Sequence, residues 1–275
     1  MRERLKRLLK KSPRLYSFVA KIYSFGALKS RYLKDRFLGT RLTEKEWATR
    51  HLRRGSDWND KKHADNSDGW IRGYWESRDH SHRQFLLEHI TEFSPVSSIL
   101  EIGCNCGPNL YLLARKLPDA EIVGIDINPA AVQKGTEWFA QEGIKNVKLL
   151  LGKADELGQF KDKSFDIVFT DAVLIYIGPD KIKDVMKGML RIARKALVLF
   201  EWHSFGRESH PLGVHVGHWM RDYVSLLKEF VPQETIHVIK MPEELWPDKY
   251  WRKYGGVVEV DLENRGRKTK ELTHR

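Results

Sequence analysis

The chain alternates short apolar runs with stretches of helical periodicity. Ile99, Leu100 and Ile102 form one such run, which ends at the glycine-bounded loop Gly103-Cys104-Asn105-Cys106-Gly107, and a helical pattern begins at Pro108. A second run, Glu121 to Asp126, ends in an aspartate. Three further strands are expected: from Asn146 into the polar pair Ala154-Asp155, from Ser164 to Asp171, and from Lys195 to Glu201. The fourth strand is apolar nearly throughout, as suits burial on both faces of a parallel sheet. Helical patterns at 108–117, 129–142 and 179–194 separate these strands and make the βαβα alternation of such a sheet. A helix near 217–230 and strand candidates at Glu234–Lys240 and Gly256–Leu262 follow, the last two supplying a sixth and a seventh strand.

A strand that feeds a glycine-rich turn and a helix lets backbone approach a ligand closely. An acid at the tip of the next strand, Asp126, can accept hydrogen bonds from ribose hydroxyls. Together they point to a cofactor that contains adenosine. A dinucleotide fingerprint needs a third glycine, and a phosphate-binding loop needs Gly-Lys-Ser/Thr; neither is here. Glu101, just before the first glycine, would repel a pyrophosphate but suits a positively charged cofactor.

On these residues the sequence resembles the class I S-adenosylmethionine-dependent methyltransferases, whose first motif reads roughly E-x-G-x-G-x-G. Asn105 stands where the middle glycine usually does. The resemblance covers roughly residues 85–262 and implies a Rossmann-like, seven-stranded, mostly parallel α/β sheet, here with an N-terminal helical extension. It implies S-adenosylmethionine as the cofactor. The cofactor-binding residues it implies are Glu101, Gly103, Cys104, Asn105, Gly107, Asn109, Asp126, Ile127, Ala154, Asp155 and Asp171, with Asp155 on the adenine amino group. Ala172 to Ile177 resembles the motif that lines the methyl-donor pocket.

Methyl transfer is an in-line displacement, and a hydroxyl acceptor must also lose a proton. Open parallel sheets bind ligands at the carboxyl ends of their strands. Glu201 and His203, which close the fifth strand, and Tyr176, which follows the fourth, are therefore the expected catalytic residues, with His203 the general base. The histidines at 203, 210, 215 and 218 lack a known metal-ligand spacing, and no metal is expected. A looser likeness to methyltransferases of surface-sugar biosynthesis lies in 173–180, 200–203 and 217–223. It implies O-methylation of a small-molecule, sugar or glycan hydroxyl, lipid-linked in one version. An RNA or protein methyltransferase and a non-catalytic cofactor-binding protein are the alternatives.

Charge changes the picture at the N-terminus. The formal net charge is +11, and residues 1–41 carry all of it, with thirteen Lys/Arg against two acids. Leu5, Leu8, Leu9, Leu15, Phe18, Val19, Ile22 and Phe25 recur there at helical spacing. This basic amphipathic extension reads as a helix lying on an anionic membrane surface; a solvated or docked tail and an RNA-binding arm are the other readings. No apolar run is long enough to span a bilayer. The charged first residues do not suit a leader, and two cysteines one residue apart do not suit an ordinary disulfide, so a cytoplasmic location is expected, peripheral on a membrane if the extension binds one. Residues 42–84 form a tryptophan-rich linker, with 55–84 as a lid whose Trp70, Tyr74, Trp75, His80, His82 and Arg83 face the pocket. Residues 85–262 make the methyltransferase domain, and 263–275 a polar, basic tail.

Overall fold

The computed structural model describes residues 40–50, 69–206 and 210–263. The basic extension, apart from its last two residues, the first part of the lid and nearly all of the polar tail lie outside the described residues. No described helix is long and apolar enough to cross a membrane.

Strands β1 (Ser98–Ile102), β2 (Glu121–Asp126), β3 (Val147–Leu151), β4 (Phe165–Asp171), β5 (Ala193–Trp202), β8 (Ile236–Lys240) and β9 (Gly255–Asp261) form one sheet in the order β3-β2-β1-β4-β5-β9-β8. The first five are parallel, and β9 runs antiparallel to both β5 and the edge strand β8. The chain winds outward from β1 through β2 to β3, then returns to place β4 on the other side of β1. That reversal opens a crevice beyond the carboxyl ends of β1 and β4, where parallel α/β sheets bind ligands.

Because side chains alternate along a strand, each face builds its own core. Ile99, Ile167, Val198 and Phe200 pack on one face against α4 (Pro108–Lys116) and α5 (Pro129–Gln141). Leu100, Val168, Leu197 and Leu199 pack on the other against α6 (Ile182–Ile192) and α7 (Tyr223–Leu227). Two small strands, β6 (Val214–His215) and β7 (Trp219–Met220), form a separate hairpin. The continuous helix expected near 217–230 is therefore a hairpin strand followed by a short helix. Gly213 and Gly217, at φ 103° and 112°, turn the chain, and the Asp222 carboxylate caps the helix only from Tyr223 onward.

The described part of the lid segment, residues 69–84, packs into the core of the domain. Helix α2 (Gly69–Glu76) places Ile71 and Trp75 in the first core, and α3 (Ser81–Thr91) adds Leu86, Leu87 and Ile90 there. Helix α3 runs across residue 84, the expected domain boundary, and His89 Nδ1 lies 2.7 Å from Glu259 Oε1 on β9. An apolar pair at i and i+4 on α2 buries one face, which is why the segment docks.

Candidate active site

The loop after β1 turns through three left-handed residues, Gly103 (φ 75°), Asn105 (φ 53°) and Gly107 (φ 86°). The N–H groups of Gly103 and Cys104 both donate to Ile125 O, at 2.8 and 3.0 Å, which ties the loop to the end of β2. A Cβ on Gly103 would sit 2.3 Å from Val173 Cγ2, so only glycine fits. Asparagine replaces the usual middle glycine without loss, since it is among the residues that tolerate this conformation. Its Oδ1 accepts the Cys106 N–H at 2.8 Å, and its own N–H donates to Asp126 Oδ2 at 2.8 Å. Cys104 and Cys106 are buried, and burial raises both thiols far from reactivity.

Beneath the loop lies a buried polar network. Arg83 Nη1 donates to Asp171 Oδ2 at 2.9 Å and to Asn109 Oδ1 at 2.8 Å. Its Nε and Nη2 donate to Ser77 O and Oγ at 2.9 and 2.7 Å. The Asn109 amide donates to Glu101 Oε1 at 2.7 Å and to Asp171 Oδ2 at 3.0 Å. His82 Nε2 lies 3.2 Å from the same Asp171 oxygen. Burial by itself would raise Asp171, but His82, Arg83 and Asn109 hold it well below the usual carboxylate range. Glu101 has only the neutral amide, and burial pushes its carboxyl up to about 8. Its Oε2 has no hydrogen-bond partner among the described residues.

A cavity of about 690 Å³ opens above this floor. Gly103, Asn105, Asp126, Ile127, Ala154 and Asp171 line one part of it, as expected from the sequence. Glu101, Cys104, Gly107 and Asn109 support the loop from below instead of lining the cavity. Asp126 accepts one backbone N–H on each oxygen, from Asn105 and Asn128, and burial raises it to about 6. Asp155 does not line the cavity; its carboxylate pairs with Lys181 at 2.6 Å. Lys181 also binds Glu44 on α1 (Arg41–Ala48). Thr40 is clamped to Asp180 through its N–H (2.9 Å) and hydroxyl (2.7 Å), which fastens α1 across the cavity.

Aromatic side chains form the remaining walls. Trp70, Tyr74, His80, His82 and Arg83 line the cavity as expected, whereas Trp75 does not: it is buried against Tyr111, Trp138 and Phe139. Tyr176 lines it too, edge-on to Trp47 and to His218. Sequence reasoning missed Trp202 and the segment after β8, where Trp246, Asp248, Tyr250 and Trp251 build a wall. Trp246 and Trp251 stack at 4.4 Å, and Trp251 stacks on Phe200 at 5.0 Å. The density of tryptophan and tyrosine at 246–254, higher than that of the lid, was the available signal.

Two expected catalytic residues require correction. The buried Glu201 carboxylate accepts the N–H groups of Val173, Leu174 and Ile175 at 2.9, 3.0 and 3.2 Å, and it does not line the cavity. From the other side Arg221, fully buried, donates to Leu174 O at 2.6 Å and to Ile177 O. The two side chains therefore lock the turn that carries Tyr176. His203 is also buried away from the cavity, with its Nδ1 accepting the Tyr223 N–H at 3.4 Å. Glu201→Gln turns an amide donor toward backbone donors and is expected to cost about 1–3 kcal/mol in chemical denaturation. Unchanged stability would show that the carboxylate does not hold the turn.

The sheet order, the crevice at its switch point and the glycine loop with Asp126 at the next strand tip define an α/β nucleoside-binding fold of the methyltransferase type. Comparison with known proteins agrees: residues 94–203 match the model of a methyltransferase domain. Residues 94–203 are thus similar to a methyltransferase domain, and the fold is shared with S-adenosylmethionine-dependent methyltransferases. It is 32% identical over 97 residues to aklanonic acid methyltransferase of Streptomyces sp. strain C5, covering 35% of this chain and 43% of that protein. It is 28% identical over 89 residues to arsenite methyltransferase of Halobacterium salinarum, covering 32% of this chain and 22% of that protein. The chain thus spans less than half the length of these curated relatives. Among solved structures, a SAM-dependent methyltransferase from Aquifex aeolicus shares the fold, with a TM-score of 0.51 at 18% identity, over 69% of this chain and 97% of that one. So does geranyl diphosphate C-methyltransferase from Streptomyces coelicolor A3(2), with a TM-score of 0.52 at 13% identity, over 66% and 76%.

Proposed function

We propose that this chain binds S-adenosylmethionine and methylates a hydroxyl of a small-molecule acceptor, a sugar ring or glycan terminus being the class that suits the cavity best. The cofactor supplies, when bound, an electrophilic methyl group on a sulfonium. The residues present fit it. Arg83 offsets Asp171 on the cavity floor, and Glu101, joined to Asp171 through Asn109, has an unmatched buried oxygen for a cation. Asp126 keeps lone pairs for ribose hydroxyls, and the wall at Ile127 and Ala154 suits a purine.

The observation that carries the acceptor reading is a pair of unmet donors. The indole N–H groups of Trp70 and Trp202 are buried without a hydrogen-bond partner among the described residues, and both side chains line the cavity. An acceptor rich in oxygen would satisfy them, while the aromatic faces cover the C–H faces of a ring. The volume lies within the range of small-molecule sites, roughly 300–1,000 Å³, and suits a cofactor with a small acceptor better than a polymer. The relatives are named for arsenite and aklanonic acid, both small molecules. The membrane reading of residues 1–41 is a separate proposal; it is tested by liposome co-sedimentation of the full chain against a chain starting at Thr43, and equal binding by both would end it.

Titration calorimetry tests cofactor binding, and transfer of a labelled methyl group into an extracted metabolite pool tests catalysis. Labelled sugars or glycans support the acceptor class; labelled RNA or protein replaces it. A pH effect follows from Glu101. With its carboxyl raised to about 8, it holds a proton at pH 7, and a bound cation favours the carboxylate. Cofactor binding is therefore expected to release about one proton at pH 7, and affinity to rise up to about tenfold per pH unit until pH 8. Calorimetry in buffers of different ionisation enthalpy measures this, and binding without proton release would remove Glu101 from the cation site.

A further inference from the structure

Resting on the hydroxyl-methylation reading, we propose that His80 is the general base of this site and that His82 and Asp171 form a hydrogen-bond relay behind it that sets its tautomer. Two contacts define the chain of groups. Asp171 Oδ2 lies 3.2 Å from His82 Nε2, and His82 Nδ1 lies 2.6 Å from His80 Nδ1. His80 and His82 both line the cavity, and each ring packs against Trp246.

The tautomers follow from elimination. Asp171 is ionised and only accepts, so His82 carries its proton on Nε2 and, when neutral, offers a lone pair at Nδ1. Two ring nitrogens 2.6 Å apart need a proton between them, since two lone pairs at that distance repel. That proton sits on His80 Nδ1. His80 Nε2 is then the basic nitrogen. The His82 main-chain N–H also reaches His80 Nδ1, but at 3.4 Å it is the weaker claim on that atom. Both rings are held neutral: burial lowers His82 to about 4, and burial followed by Arg83 lowers His80. Tyr74, Asp126, Lys153, His218, Asp248 and Tyr250 are among the other ionisable groups lining the same cavity.

In the transfer step the acceptor O–H bond breaks as its oxygen forms the bond to the methyl carbon, and sulfur keeps the electron pair of the broken C–S bond. The released proton binds His80 Nε2. The imidazolium charge rests on His80, whose Nδ1–H is held by His82 Nδ1 and, through His82, by the ionised Asp171. The buried anion both sets the tautomer and stabilises the charge, the division of labour found in an Asp–His pair, here extended by one imidazole.

Two measurements on the full chain test the relay. Nitrogen-15 spectra of the histidine-labelled protein with S-adenosylhomocysteine should show His80 protonated at Nδ1 and His82 at Nε2. His82→Phe should return His80 to the Nε2–H form. An Nε2–H form of His80 in the native protein overturns the relay. In the labelled-methyl assay His80→Ala should lose about 10²–10⁴-fold in rate, with cofactor affinity within a few-fold of native and partial rescue by added imidazole. A full rate in His80→Ala also overturns it. No transfer by the native protein would instead strike the activity reading, whatever the tautomers show.

Discussion

Asp171→Ala should destabilise the protein by about 3–5 kcal/mol, the cost of leaving one member of a buried ion pair behind. Arg83 and Asp171 are 2% and 3% exposed, so water cannot replace the lost carboxylate. Arg83 would keep Asn109, Ser77 O and Ser77 Oγ, which satisfy its hydrogen bonds but not its charge. Glu101 would then become the nearest counter-ion. Burial holds the Glu101 carboxyl up, Asp171 adds to that and Arg83 lowers it, so removal of Asp171 should lower Glu101 in part. The variant is therefore expected to release less of a proton on cofactor binding than the native protein. Denaturant unfolding and buffer-dependent calorimetry read the two effects separately. A variant as stable as the native protein would show that Asp171 does not anchor the network. In the native protein the depressed Asp171 contributes stability that is present above the ordinary aspartate range and lost as pH falls toward its folded value. Acid unfolding should accordingly begin below about pH 4 on this group's account.

Gly103→Ala should be the second most damaging change. Two penalties combine: a left-handed conformation at φ 75°, costing about 1–2 kcal/mol for a residue with a Cβ, and a methyl group 2.3 Å from Val173 Cγ2. Overpacking of this kind costs about 1–3 kcal/mol more. Relief requires Val173 to move, and Val173 begins the turn that Glu201 holds. The strain should thus displace Tyr176 and weaken cofactor binding together with stability. Gly103→Ala with Val173→Ala removes the crowding but not the backbone cost, so thermal unfolding should recover in part only. Full recovery would mean that the left-handed turn carries no penalty; none would mean that Val173 is not the obstacle.

Much of the cofactor half was legible because its signals are local. The strand, the left-handed loop and the helix after it are consecutive in the chain, and Asp126 sits where the next apolar run stops. Asn105 stood out in the sequence only as a departure from the usual glycine; its left-handed conformation is what the structure adds. The acceptor half was not, because its walls come from α1, α2, α3, β5 and the segment after β8, which meet only in the fold.

The fifth strand shows where that limit lies. Period-two alternation determines from sequence that Glu201 and His203 share one face and Trp202 takes the other. Which face meets the cavity depends on the return of α2, α3 and 241–254 to one side of the sheet. The structure puts Phe200 and Trp202 on that side, and Glu201 with Leu199 on the side of α6 and α7. By itself the sequence determined the sheet, the turn and the nucleoside site, since hydrophobic period and glycine conformation are local properties. Tertiary structure alone decided which carboxylates and imidazoles stand at the cavity and which brace the backbone, since the fate of a polar group depends on what distant chain segments pack over it.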